Sequence, residues 1–249
     1  MVETFTIVTV TVAFFLAGAV KGVIGLGLNM VSLGLVAAAL DLTTAMALLL
    51  IPSFVTNIWQ SFVGGRIKDI ILGMWPFLFL ATITIWIGST ALISINQAYL
   101  AILLGILLIS HSSLNLLGFR LVIPPRHQTW SGIIMGTANG ILAGMTGSFV
   151  VPGVMYLQAI GLQRDTLVQA MGILFSLSTI GLAIALKTNR LLTSEVAAIS
   201  AYAVIPAILG MVIGRRARMA LSENKFRNIF FVSLFVLGLF IIIKAVHCR

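Results

Sequence analysis

The sequence predicts an all-α integral membrane protein: about eight transmembrane helices in two parallel four-helix repeats, with glycine-broken or re-entrant segments. Three observations predict it. Of 249 residues, 60% are hydrophobic and only 8% charged, with a mean hydropathy of +1.15. A soluble domain carries roughly 25% charged residues, so lipid must solvate most of this surface. Apolar stretches long enough to span a bilayer occur at 4–21, 43–63, 70–92, 97–113, 129–147, 166–186, 195–214 and 226–246. Finally, a shift of 122 positions (140 − 18) superposes Gly18, Gly22 and Gly25 on Gly140, Gly144 and Gly147, with Leu40 on Leu162 and Thr44 on Thr166. An internal repeat with an interrupted helix in each copy is a common transporter plan.

Taken in order, the first span carries Glu3 as its only early charge, and no basic region precedes it. It is therefore a retained membrane segment and not a cleaved leader. Two glycine-rich tracts, 22–40 and 148–162, add length beyond one span each. They are too apolar for water and are expected to be broken or re-entrant, since irregular backbone at that depth must be buried in protein or line a cavity. Asp41 and Asp165 are expected to N-cap the second and sixth spans. The halves are predicted as 1–120 and 129–249, joined by a linker at 121–128. There Pro124 and Pro125 stand between Arg120 and Arg126, and the residue before a proline disfavours helix.

The net charge of +9 resides at span ends, including the run Arg215, Arg216, Arg218, Lys225 and Arg227. Such placement anchors helices at an anionic bilayer surface and leaves no domain for nucleic acid. A single cysteine, Cys248, excludes an internal disulfide. No nucleotide-binding loop, metal-ligand pattern or nucleophile elbow is found, so no catalytic residue, metal or cofactor is expected.

The candidate site residues surround the two glycine tracts. Gly22, Gly25, Gly144 and Gly147 either form small-residue packing faces or free backbone N–H groups at half-helix N-termini to hold an anion. Their duplication favours the second reading. Asn29, Thr146, Asn57, Gln60, Gln158 and Gln169 are polar groups in apolar surroundings, and such groups face a cavity or a partner helix. Lys21, the one Lys or Arg well inside an apolar stretch, would favour an anionic substrate. His111 is expected to be structural. Carboxylates fall at span ends, which argues against a carboxylate proton relay.

The stretch Ala17–Leu28, the run Pro52–Gln60, the second-copy stretch Gly144–Pro152, the segments 156–162 and 167–172, and the basic turn Gly214–Arg227 together resemble the TauE/SafE sulfite exporter family over essentially the whole chain. The first copy departs from the family pattern at Asn29-Met30, where related sequences commonly carry proline. The resemblance implies an inner-membrane permease for a small sulfur-containing anion such as sulfite or a sulfonate. The predicted partners are that small anion, the lipid bilayer and, as a coupling ion, protons, around a site between the two repeats. A non-transporting membrane subunit or a passive anion channel is the rival reading.

Overall fold

The computed structural model describes residues 2–62, 64–119, 121–217 and 223–247. Arg120, Arg218 and Cys248, singled out above, lie outside the described residues. In chain order the helices are α1 (Val2–Ile24), α2 (Leu28–Ala39), α3 (Leu42–Phe62), α4 (Ile67–Ile83), α5 (Ile85–Ser89), α6 (Ala91–Ser94) and α7 (Gln97–Leu116). A 3-10 turn at Pro125–His127 leads to α8 (Gln128–Thr146), α9 (Gly153–Ala159), α10 (Arg164–Thr188), α11 (Ser194–Ala217) and α12 (Glu223–His247). All eight predicted spans are helical, and no strand is present among the described residues. The glycine tracts become the short helices α2 and α9, each separated from the long helix before it by a break.

Among the described residues, seven segments are long and apolar enough to cross a membrane; α4–α6 together make one of them, Ile67–Ser94. The 19-residue α8 is not among the seven. Its hydropathy is lowered by Gln128 and Asn139 and by Gly132, Gly136, Gly140 and Gly144, one per turn, which give up apolar side chains so that neighbouring groups can approach closely.

Two compact units emerge, and neither coincides with a half of the duplication. Unit 1 comprises Met1–Pro52, Ile95–Phe119 and Leu192–Arg249; unit 2 comprises Ser53–Ser94 and Arg120–Leu191. In unit 1, α1 of the first copy packs on α11 of the second, and α7 packs on α12. In unit 2, α8 of the second copy packs on α4 and α5 of the first. Helices exchanged between copies are thus the main structural contacts of both units.

Glycine makes these contacts possible. A Cβ at Gly18 would fall on the Ala207 carbonyl oxygen, and one at Gly22 on that of Met211. From the other side, Gly210 and Gly214 meet the carbonyl oxygens of Phe15 and Ala19. In unit 2, Gly140 meets Thr84 Oγ1, Gly144 the Ile85 carbonyl oxygen and Gly88 that of Ile141. Small residues that bring backbones together drive helix association in lipid, where burial of apolar surface supplies little preference.

Helix starts follow ordinary capping. Asp41 Oδ1 accepts from Thr44 N at 2.9 Å, as expected of an N-cap. Asn96 caps α7 by accepting from Ala98 N at 2.9 Å. Asp165 does not cap α10: the N-cap position is Gln163, which places Asp165 inside the first turn. There its charge complements the helix dipole instead.

Candidate functional site

The third glycine of each copy ends a helix. Gly25 (φ 87°) and Gly147 (φ 73°) adopt the left-handed conformation that glycine reaches without steric cost. Their N–H groups donate to Lys21 O and Ala143 O, both at 2.7 Å. Lys21 and Ala143 are themselves counterparts under the 122-residue shift, so the two caps are built identically. The glycine motif therefore divides its labour: the first two glycines of each copy seat a neighbouring backbone, and the third turns the chain.

Beyond the turn the two copies diverge. In the first, only residues 25–27 separate α1 from α2, a helix of 12 residues. Gly27 is also left-handed (φ 109°), and a Cβ there would lie 2.9 Å from Val20 Cγ1 and 3.1 Å from Phe230 Cζ. In the second, residues 147–152 separate α8 from the seven-residue α9. Here Thr146 shapes the break, its hydroxyl donating to Leu142 O at 2.7 Å and accepting from Ser148 N at 3.3 Å. The first amide of α9 is also satisfied within the protein, since Gly153 N donates to Asn139 Oδ1 at 2.9 Å.

In unit 1, Lys21 sits in the last turn of α1 and Asn29 in the first turn of α2; both are buried. Among the described residues Lys21 is the one Lys, Arg, Asp or Glu whose side chain is buried, at 6% exposure. Lys244 of α12 donates from Nζ to Ala38 O at 2.7 Å and so holds the C-terminal end of α2. His111 is buried on α7 with its ring edge-on to Phe231, centroids 5.5 Å apart, in keeping with a packing role.

In unit 2, several of the expected polar residues tie α3 to α10. Asn57 Nδ2 donates to Ser53 Oγ at 2.9 Å, and that oxygen lies 3.1 Å from Thr179 Oγ1. Gln60 Nε2 donates to Val168 O at 2.8 Å, and Gln169 Nε2 returns a bond to Ser61 O at 2.9 Å. Gln169 Oε1 accepts from Arg66 N at 3.1 Å, which fixes the turn after α3. These bonds form because Gly172 admits the facing helix: a Cβ there would stand 2.6 Å from Ser61 N. Gln158 points elsewhere; it is exposed on α9 and joins none of this.

A second set of polar atoms in unit 2 has no hydrogen-bond partner among the described residues: Asn139 Nδ2, Ser148 Oγ, Ser176 Oγ and Ser178 Oγ, all buried. Their polarity is plain in the sequence, but polarity alone does not separate them from the residues that tie helices together. The signal available was the register itself, since Asn139 occupies the place of Ala17 and Ser148 that of Leu26.

Residues 10–241 match the family model described as Sulfite exporter TauE/SafE. The chain belongs to the TauE/SafE family. No curated protein and no solved structure matches it. As a TauE/SafE protein it is a multi-pass member of a family of membrane transporters, and its exposed apolar side chains, such as Leu72, Val232 and Phe240, suit a lipid-facing surface.

Proposed function

We propose that this TauE/SafE protein is a secondary permease of the inner membrane that moves a small sulfur-containing anion, sulfite or a sulfonate, and that its glycine breaks are working parts of that transport. One observation carries the reading: each copy of the repeat ends a helix at a left-handed glycine and leaves buried polar groups beside it. The dipole that suits an anion is that of the helix starting after a break, and α2 begins without a side-chain N-cap; each break also supplies a joint about which a gate can move. Lys21 adds the one buried positive side chain among the described residues, which biases the protein toward anions. Gly25 and Gly147 turn the chain at the two breaks, Asn29 lies beside the first and Thr146 beside the second, and Asn57, Gln60 and Gln169 tie α3 to α10.

The test is flux in proteoliposomes loaded with sulfite, methanesulfonate, thiosulfate or a carboxylate, with and without a pH gradient. Saturable flux of a sulfur oxyanion that responds to its own gradient or to protons is expected. Flux that rises linearly with concentration would point to a passive channel, and no flux of any of these anions would refute the proposal.

A further inference from the structure

We infer that Asn139, Ser148 and Ser178 form an oxyanion pocket at the second break, holding the substrate with neutral hydrogen-bond donors alone; the inference rests on the permease reading above. The three residues come from three elements of unit 2 that meet at residues 147–153. Asn139 lies on α8, and its amide has no freedom of assignment. The Gly153 N–H can only donate, so the side-chain oxygen must face it. The Nδ2 group is thereby left as a donor with no partner in a fully buried position.

On α10, Ser178 follows Leu174 by one helical turn, so the two share a face. Leu174 Cδ2 lies 3.0 Å from where a Cβ on Gly153 would stand, alongside Asn139 Oδ1 at 2.6 Å. That face of α10 therefore looks onto the break. Ser148 belongs to the break itself and adjoins Phe149, whose ring meets Phe175 of α10 with centroids 6.3 Å apart. Ser176, by contrast, falls on the stripe of Gly172 and Thr179 that faces α3, and it is not assigned to the pocket.

Buried polar atoms without partners are rare because each costs stability, and a cluster of them marks a place where something else completes the bonding. The chemistry of the cluster selects what that is. The two hydroxyls could serve a ligand of either sign, but the Asn139 Nδ2 group can only donate and so calls for an acceptor, and among the described residues no Asp or Glu is buried to hold a cation. An anion with several oxygens can accept from the amide and both hydroxyls at once. Neutral donors also suit a carrier, since they hold an anion without the tight ion pair that would slow its release. The first copy has Ala17, Leu26 and Thr56 at the equivalent positions (139 − 122, 148 − 122, 178 − 122), so the pocket is single and not duplicated.

The experiment compares the full-length chain in detergent with Ser148→Ala, Ser178→Ala and Asn139→Asp. Unfolding temperature is followed against sodium sulfite and sodium methanesulfonate, and sulfite flux is measured in proteoliposomes. Removing either orphaned hydroxyl should raise the unfolding temperature without anion, while weakening the anion response about tenfold, as loss of a hydrogen bond to a charged group does. Asn139→Asp keeps the acceptor for Gly153 N–H but exchanges the donor for an oxygen that repels anions, and should abolish the response. Wild-type half-saturation and flux in the alanine variants would overturn the pocket while leaving the permease reading intact. If Asn139→Asp does not fold, the two serine variants decide. A wild-type chain that neither responds to nor moves these anions overturns both.

Discussion

Substitution of Gly144 by alanine tests the division of labour within the glycine motif. In an unencumbered helix the change stabilises by about 1 kcal/mol, because glycine gives up more backbone entropy on folding. At Gly144 the new Cβ would fall on the Ile85 carbonyl oxygen and stand 2.7 Å from Ser89 N and 2.9 Å from Gly88 C. Non-bonded atoms rest at about 3.5 Å or more, so α5 would have to retreat by roughly 0.8 Å from Ser89 alone. The obstacles are backbone atoms, which no rotamer change can move aside. Overpacking costs about 1–3 kcal/mol, and here belongs at the upper end. Subtracting the propensity gain leaves a net loss of about 1–2 kcal/mol. The control is Gly73→Ala in α4, where nothing lies within 4 Å of the added carbon. Thermal unfolding of both purified variants in detergent should show Gly144→Ala several degrees below the wild type and Gly73→Ala at or above it. A Gly144→Ala protein as stable as the wild type would refute the close-packing assignment.

Other substitutions probe the polar ties. Gln169→Leu leaves Ser61 O and Arg66 N without their partners and should cost about 2–4 kcal/mol, read as a lower unfolding temperature and faster amide exchange at Arg66. Lys244→Met removes the cation that holds the end of α2; a loss of about 1 kcal/mol is expected, with exchange rising at Leu40, whose amide closes that terminus. Asp41→Ala should cost about 1 kcal/mol and expose the Thr44 amide to exchange, while leaving anion flux unchanged.

Much of this architecture is legible in the sequence, because hydropathy reports directly on solvation by lipid. All eight predicted spans appear as helices, and the breaks fall at Gly25 and Gly147, where spaced glycines interrupt apolar runs. Spacing could not separate the packing glycines from the turning ones, since Gly22 and Gly25 differ only in what lies across from them. The exchange of helices between copies was equally hidden: lipid tails are as apolar as a neighbouring helix, so an apolar face does not name its partner. Gln60 and Gln169 bond to backbone atoms more than 100 positions away, at Val168 and Ser61. Their role as ties follows from that long-range geometry alone. That Gln158 turns outward could not be read from the sequence, because α9 is too short, at seven residues, for periodicity to reveal which face is exposed.

The mixed parentage of the two units has a consequence for synthesis. Unit 2 is complete once Leu191 has been made, whereas unit 1 requires segments on both sides of it. The glycine face of α1 must wait while some 170 residues (194 − 24) are polymerised before α11 emerges to cover it. During that interval the face is covered by lipid or by the insertion machinery. Helix α1, made before the other helices described, is thus among the last to find its permanent neighbour, and a unit drawn from the middle of the chain is complete before the one that holds both flanks.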